Sequence, residues 1–277
     1  MTLRITVLGS GTSHGIPMIG CRCAVCTSDD PRNRRTRTSA AVRLHEQTLL
    51  IDTAPELRLQ AVEHGIDRID AVAFTHAHAD HVMGFDDLRR FAKLAEKPIP
   101  VYASPATLAR LRHVFDYALT EDAGVGFGIP IVEWRALSEP IDLDGHRLTP
   151  IPLEHGIHNA TGFRMDAPDG ASLAWCPDCC GIPAASMDLL RGLDVLFLDG
   201  LRHKPHPTHF TVAEAVEAIR NLAPREAWLI HMTHDLDHAE TEASLPQSGD
   251  VRVRVRCQQG PGGIHLACDG LVVDVAR

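Results

Sequence analysis

Short runs of apolar residues alternate along this chain with longer segments in which apolar side chains recur every three or four positions. The short runs are rich in Val, Ile and Leu and have the length of β-strands. They predict strands at Leu3–Leu8, Ser39–Leu44, Thr48–Asp52, Ala71–Thr75, Ile99–Ala103, His146–Leu153, Thr161–Met165, Leu173–Cys176, Val195–Asp199, Ala227–His231 and Gly263–Ala267. The longer periodic segments are typical of helices with one buried face. They predict helices at Pro55–His64, Val82–Ala95, Pro105–Ala118, Ala184–Arg191, Val212–Leu222 and Ala239–Ala243.

This mixture of strands and helices favours a layered α/β protein. Of the 277 residues, 44% are hydrophobic and 23% are charged, which is ordinary for a globular chain. No low-complexity linker or block of charge divides the sequence. We therefore expect a single domain over residues 1–277.

Composition and charge argue against several classes of protein. No apolar run approaches the roughly 18 residues of a membrane span. The first residues run directly into a predicted strand without the layout of a signal peptide, so we expect a cytoplasmic protein. The net charge of −9 does not favour nonspecific binding to nucleic acid or to an anionic membrane.

The strongest chemical signal is the segment His76-Ala77-His78-Ala79-Asp80-His81, which directly follows an apolar run. Side chains at alternate positions of an extended segment point the same way, so His76 and His78 can bind one metal ion. Asp80 and His81 begin a predicted helix and turn toward a neighbouring point. One loop can therefore serve two metal ions about 3.5–4 Å apart, the separation used in two-metal hydrolysis.

A second group of metal-binding residues lies near the start of the chain. Cys21, Cys23 and Cys26 form a C-x-C-x-x-C pattern. In a reducing compartment such close spacing favours metal ligation over disulfides. The alternative is three reduced thiols without a metal.

The H-x-H-x-D-H motif resembles the signature of the metallo-β-lactamase-fold hydrolases. Within that group the chain is similar to the PhnP-type phosphodiesterases, which are related to tRNA 3′-processing endonucleases. The narrower resemblance rests on Gly9-Ser10-Gly11-Thr12-Ser13, the cysteine pattern and His231-Met232-Thr233-His234. It implies a four-layer αββα sandwich whose site lies along one edge of two sheets.

The same resemblance implies a complete set of ligands for two divalent ions, Zn or Mn, because histidine and carboxylate accept both. His76, His78 and His155 would bind one ion, Asp80, His81 and His231 the other, and Asp178 would bridge them. Asp80 is also expected to be a catalytic residue. Asp52 and Asp199 are expected to orient a ligand or a loop.

The resemblance also implies a structural zinc site in which His234 joins the three cysteines as the fourth ligand. Cys176, Cys179 and Cys180 flank Asp178 and are interpreted as small buried hydrophobic residues. Cys257 and Cys268 give no signal.

His209 matches a histidine that the phosphodiesterases place near the leaving group, and general acid is the role it implies. It precedes a predicted helix, so the alternative is a histidine without a chemical role, with Thr211 capping the helix. His203 and His206 are nearby competitors, and His14 and His158 are pocket candidates. The basic run Arg32–Arg37 is either a solvated loop or a phosphate contact.

The leading hypothesis is a metal-dependent phosphodiesterase that hydrolyses a small, cyclic phosphodiester with a metal-bound hydroxide. The resemblance suggests phosphoribosyl 1,2-cyclic phosphate or a 2′,3′-cyclic nucleotide, and relatives suggest a homodimer. The alternatives are a tRNA 3′-processing endonuclease, a glyoxalase II-like thioesterase or lactonase, and a noncatalytic zinc-binding protein. The absence of a signal-peptide pattern argues against a secreted, antibiotic-destroying β-lactamase.

Overall fold

The computed structural model describes residues 3–119, 128–246 and 263–275. The strands are β1 Leu3–Gly9, β2 Ser39–Leu44, β3 Gln47–Ile51, β4 Ala71–Ala73, β5 Ile99–Ala103, β6 Val132–Ala136, β7 Ile141–Leu143, β8 His146–Leu153, β9 Ala160–Asp166, β10 Ser172–Cys176, β11 Val195–Asp199, β12 Glu226–Ile230, β13 Ile264–Leu266 and β14 Val272–Val275. The α-helices are α1 Leu57–Glu63, α2 Ala79–Val82, α3 Leu88–Ala95, α4 Pro105–Val114, α5 Ala184–Leu189, α6 Val212–Leu222 and α7 His238–Ser244. None of these helices is long and apolar enough to cross a membrane.

The strands form two seven-stranded sheets of mixed direction. The first has the order β14-β1-β2-β3-β4-β5-β6, and the second has the order β13-β12-β11-β10-β9-β8-β7. Strands β3 to β6 run parallel to one another, and so do β10 to β13. The carboxyl ends of parallel strands lie at one edge of a sheet, where side chains from different strands can converge.

Alternation of side chains along the strands produces the layers. In β1, Leu3, Ile5 and Val7 enter a core shared with residues of the second sheet, whereas Leu8 enters the core under the outer helices. In β10, Trp175 faces the shared core and Ala174 faces α6. Because side chains of a strand point alternately to its two faces, both sheets are buried on both sides. The predicted αββα sandwich is confirmed.

The helix predicted at Val82–Ala95 is confirmed over Leu88–Ala95, but it does not begin at Val82. The chain instead forms α2, a 3₁₀ turn at Phe85–Asp87 and then α3. Gly84 separates the first two, and its N–H bonds to the carbonyl of Thr53 at 2.9 Å. A Cβ at this position would lie 2.1 Å from the carbonyl oxygen of Ala54, so the close approach requires glycine and ends the first helix. The helix predicted at Pro105–Ala118 is also shorter, since α4 ends at Val114 and a 3₁₀ turn follows.

The basic run Arg32–Arg37 is not simply a solvated loop. Arg35 is fully buried, and its guanidinium donates to the backbone carbonyls of Thr233 at 2.9 Å and Leu236 at 2.8 Å. Burial lowers the pKa of Arg35 to about 10. Arg37 pairs with Glu56. These two arginines therefore connect segments of the fold, and Arg34 remains exposed.

Candidate metal centre

The segment that follows β4 carries His76 and His78 in a loop and His81 in α2, and the carboxylate of Asp52 fixes its position. Asp52 directly follows β3 with a φ of 61°, a conformation that turns the chain out of the sheet. Its carboxylate accepts bonds of 2.8 Å from the N–H and the hydroxyl of Thr75. It also accepts the Nδ1–H of His81 at 2.8 Å, which leaves Nε2 of His81 for another partner. The expectation that Asp52 orients a ligand agrees with this geometry.

Four ligand atoms form a first cluster. His76, His78, His155 and Asp178 each offer one atom, and these atoms lie within 4.8 Å of one another. Nε2 of His155 lies 3.3 Å from Nδ1 of His78, and Oδ2 of Asp178 lies 3.7 Å from Nε2 of His76. Ligands about 2.0–2.1 Å from a tetrahedral ion lie about 3.3–3.4 Å apart, so the spacing suits a metal ion.

A second cluster comprises Asp80, His81, Asp178 and His231. Oδ1 of Asp178 lies 3.2 Å from Nε2 of His81 and 3.3 Å from Nε2 of His231. Oδ2 of Asp80 lies 3.3 Å and 3.6 Å from the same two nitrogens. Since one oxygen of Asp178 faces each cluster, this carboxylate is placed to bridge two ions.

The donor atoms of both clusters fit divalent cations. Nε2 of His76, His81 and His231 and Oδ1 of Asp178 are buried without a hydrogen-bond partner. An unsatisfied buried polar atom costs about 1–3 kcal/mol, and several converging on one point indicate a bound ion. Within residues 3–119, 128–246 and 263–275, no lysine or arginine pairs with Asp80 or Asp178. Their negative charge is therefore left for a cation to neutralise.

Burial and neighbouring charges shift the pKa values of the histidines and carboxyls in the two clusters. Burial lowers the pKa of His76 well below its usual value, and it also lowers the pKa of His78 and His155, so these imidazoles are neutral and able to bind a metal. Burial opposes the charge of Asp80 and Asp178, but the imidazoles of the second cluster outweigh it and hold the pKa of both carboxyls below the usual range.

His155 is oriented by a backbone carbonyl. Its Nδ1–H donates to the carbonyl oxygen of Thr208 at 2.9 Å, which directs Nε2 to the first cluster. Gly156 has a φ of 62°, and a Cβ there would lie 2.6 Å from Cγ2 of Thr208. Sequence reasoning missed Thr208, because a carbonyl acceptor leaves no residue-type signal. Gly156 directly after a predicted ligand was the one available indication.

His209 lies over the two clusters and is held by Asp199. Its Nδ1–H donates to Oδ2 of Asp199 at 2.6 Å. Its ring stacks on His231 with centroids 4.8 Å apart and an interplanar angle of 11°, and it meets His155 edge-on at 4.8 Å. Asp199 was expected to orient a ligand or a loop; it orients His209 and also accepts the N–H of Cys179 at 2.9 Å, next to Asp178.

The histidines around His209 occupy different places. The ring of His206 lies 5.0 Å from that of His209, whereas His203 is exposed. His158 lines the small cavity over the metal clusters, and exposed His14 does not line it. His209 is thus the histidine of this segment that borders the centre.

The predicted structural zinc ligands also come together. Nδ1 of His234 lies 3.3, 3.4 and 3.6 Å from the Sγ atoms of Cys21, Cys23 and Cys26. Zn–S and Zn–N bonds of about 2.3 and 2.0 Å in a tetrahedron place S and N about 3.5 Å apart. The N–H of Cys26 lowers the pKa of Cys23 to about 6, while burial raises the pKa of Cys26 to about 11.

The remaining cysteines described in the structure join none of these clusters. Cys176 and Cys179 are fully buried, and burial raises the pKa of the Cys176 thiol to about 12. Cys180 is half-buried, and its Sγ donates to the carbonyl of Glu154 at 3.5 Å. The interpretation as buried thiols holds for the first two. Cys257 lies outside the described residues.

Comparison with known proteins agrees with the fold. The family model described as "Beta-lactamase superfamily domain" matches residues 47–232. A crystal structure described as a new diphosphatase from the PhnP family has 42% identity and a TM-score of 0.85, covering 99% of this chain and 97% of that one. Zn(2+)-bound PqqB from Methylobacterium extorquens has a TM-score of 0.76 at 21% identity, covering 98% and 99%, a likeness of fold.

A curated relative differs in length. The octanoyltransferase of Porphyromonas gingivalis (strain ATCC BAA-308 / W83) is 35% identical over 249 residues, which are 88% of this chain but 49% of that protein. The chain thus spans about half the length of that relative. The chain belongs to the β-lactamase superfamily and, within it, to the PhnP family. It is a metal-dependent hydrolase of the metallo-β-lactamase fold.

Replacing Asp52 with Ala is expected to weaken binding of the metal ion held by His81 by about 10–100-fold, because the partner that orients its imidazole is lost. Metal affinity is measured by titrating the apoprotein in competition with a chromophoric chelator. Asp70→Ala is the matched control, since Asp70 is a buried carboxylate that bonds to Thr48 and Arg68 instead. Equal metal affinity in the Asp52 variant and the wild-type protein would contradict the assignment.

Replacing Cys23 with Ser is expected to remove one equivalent of zinc and lower the free energy of unfolding by about 3 kcal/mol or more, since loss of a structural metal is among the most damaging changes. The zinc should also resist chelators that strip the other centre, because four protein ligands leave no open position. Zinc content and denaturant unfolding are measured beside Cys180→Ser. Unchanged zinc content and stability in the Cys23 variant would refute a structural site.

Proposed function

We propose that this hydrolase is a phosphodiesterase that cleaves a small, cyclic phosphodiester, either phosphoribosyl 1,2-cyclic phosphate or a 2′,3′-cyclic nucleotide. The observation that carries the proposal is the placement of His209, fixed by Asp199, beside two clusters that share Asp178. Breaking a phosphodiester releases an alkoxide, which needs a proton, and a positioned imidazole is a suitable donor.

The candidate metal ligands form two sets that share one carboxylate. His76, His78 and His155 would hold one divalent ion, either Zn or Mn, and Asp80, His81 and His231 the other, with Asp178 between them. When bound, such ions lower the pKa of a coordinated water and neutralise charge on phosphate oxygens.

His209 acts on the leaving group. Its Nδ1 is engaged by Asp199, so Nε2 is the nitrogen left to protonate the departing oxygen. Asp199 keeps the ring in one orientation, and the flat contact with His231 limits its rotation. A cavity of about 160 Å³ lined by His209, Asp178 and Asp80 offers room for a phosphate group beside these side chains.

Cleavage of a diphosphate is the second candidate. The observation that favours it is the 42% identity to a PhnP-family protein described as a diphosphatase. The two reactions differ in the leaving group, because a phosphate departs from a P–O–P bond without the strong need for a proton that an alkoxide has.

A tRNA endonuclease, a thioesterase or lactonase, and a noncatalytic zinc protein have less support. A tRNA 3′-processing endonuclease needs a surface that grips a large polyanion, and the net charge of −9 and the lack of a long basic insertion count against it. The His209–Asp199 pair and the Cys21–Cys26 loop count against a thioesterase or lactonase. The complete ligand sets count against a noncatalytic protein.

A substrate panel is the direct test. Protein loaded with Zn or with Mn should turn over cyclic phosphates faster than linear phosphodiesters, diphosphates, thioesters, lactones and precursor tRNA. Release of product is measured for every substrate under the same conditions. Faster turnover of diphosphates would select the second candidate, and a preference for thioesters or lactones would overturn both.

His209→Ala should retain its metals and fold but lose about 10²–10⁴-fold in kcat on substrates with alkoxide leaving groups, the usual contribution of a positioned acid. The loss should shrink for nitrophenyl phosphodiesters, whose leaving group departs without a proton. Rates on both substrate types are compared with those of His203→Ala, the exposed neighbour. An equal loss on both types would assign His209 to binding, and no loss on either would remove it from the mechanism.

A further inference from the structure

A second and larger cavity opens beside the metal clusters. Its volume is about 830 Å³, compared with about 160 Å³ for the cavity over the two clusters. His78, Ile157 and His158 line both, so the two spaces adjoin. A cavity of about 300–1,000 Å³ accommodates a whole organic ligand, whereas the smaller space suits a phosphate group. We call the larger cavity the α4–β8 groove, because α4 and β8 form its walls.

The walls of this groove are mainly apolar and rigid. Pro150 and Pro152 of β8 face it, because they lie on the face of the strand opposite to Ile151, which packs under the outer helices. Pro105 and Ala106 form the wall contributed by α4. Proline rings cannot change their backbone φ, so this surface is formed before a ligand binds.

The floor of the groove is joined to the metal-binding loop. The N–H of Thr161, a lining residue, donates to the carbonyl of Thr75 at 2.9 Å, directly before His76. The N–H of His158 donates to the carbonyl of His155 at 3.2 Å. A group bound in the groove is therefore held at a fixed position relative to the two clusters.

Several hydroxyl, amide and imidazole side chains also line the groove, and the guanidinium among its lining residues is that of Arg110. It is exposed on α4, one turn after Ala106 and on the same face, and no side chain among the described residues bonds to it. Ile157 stands at the junction of the two cavities with 94% of its surface exposed. Apolar walls of proline and alanine, together with a guanidinium and other polar side chains, fit a ring system that carries hydrogen-bond acceptors at its edge.

We propose that the α4–β8 groove binds the base of a nucleoside whose phosphate lies at the metal clusters, with Ile157 and Arg110 as specificity-determining contacts. The proposal rests on the proposed function for the phosphate and goes beyond it. Of the two substrates named there, it selects the 2′,3′-cyclic nucleotide, because a phosphorylated sugar alone leaves the groove empty.

Ala106→Trp is the discriminating variant, because an indole on this wall fills the groove from an exposed helical position. The KM for 2′,3′-cyclic AMP should rise about 10-fold or more at nearly constant kcat, the pattern of lost ground-state binding. The KM for phosphoribosyl 1,2-cyclic phosphate should not change. Ala109→Trp is the matched control, since Ala109 is exposed on the same helix and does not line the groove. Equal changes for both substrates, or none for either, would overturn the proposal.

Arg110→Ala should weaken nucleotide binding about 10-fold, as expected for loss of a charged hydrogen bond, whereas Arg112→Ala, exposed outside the groove, should not. Binding of 3′-AMP and of ribose 5-phosphate is measured by calorimetry, which needs no turnover. Wild-type protein should prefer 3′-AMP, and Ala106→Trp should abolish the preference. If neither cyclic phosphate is hydrolysed but this preference is found, the phosphodiesterase proposal fails, and the proposal that the α4–β8 groove binds a nucleoside base is retained. If 3′-AMP binds no better than ribose 5-phosphate, the groove proposal fails.

Discussion

The carboxylate of Asp178 is the constraint on which the rest of the centre depends. It is buried, and its two oxygens face different sets of imidazoles, His76 and His155 on one side and His81 and His231 on the other. A buried carboxylate is costly unless charge of opposite sign compensates it. Burial opposes protonation of His81 and His231, but the carboxylates outweigh it and raise the pKa of both imidazoles. Divalent cations in place of those protons would satisfy both oxygens of Asp178 at once. The distance between the two clusters is set by the separation of the two oxygens of the Asp178 carboxylate.

The backbone is strained where it delivers these side chains. Asp52, Asp178 and His231 have φ values of 61°, 45° and 61°, which non-glycine residues adopt at a cost of about 1–3 kcal/mol each. Each follows a strand, β3, β10 or β12, and the left-handed turn directs the side chain across the sheet edge instead of along it. Such conformations persist because the surrounding bonds fix them, as Thr75 and His81 do for Asp52. Binding of a metal ion would offset part of this conformational free-energy cost.

The apolar pattern was sufficient to predict most interior strands, and the full ligand sets were implied by the resemblance to a known family. Strands with a neighbour on each side, such as β5 and β8, were predicted to the residue, and every predicted ligand lies in one of the clusters. The strands that were missed, β6, β7 and β14, are all at sheet edges, where one side lacks a neighbour. The apolar pattern is weak in β6 and β7, whereas β14 is rich in valine and was still not predicted. The break at Gly84 was also missed, because it depends on the carbonyl of Ala54, which is distant in sequence. The bond from His155 to Thr208 was hidden for the same reason.

The two metal sites are mechanically connected. His231 and His234 are three residues apart, and the segment between them bonds to the first loop, where the N–H of Met232 donates to Ser10 at 3.0 Å. Arg35 holds the same segment by the carbonyls of Thr233 and Leu236. A zinc ion on His234 and the cysteine loop would therefore limit the movement of His231, which has a strained backbone and no partner for its own Nδ1. A structural ion at this position would take no part in the chemistry, yet it would determine how accurately one ligand of the second cluster is placed.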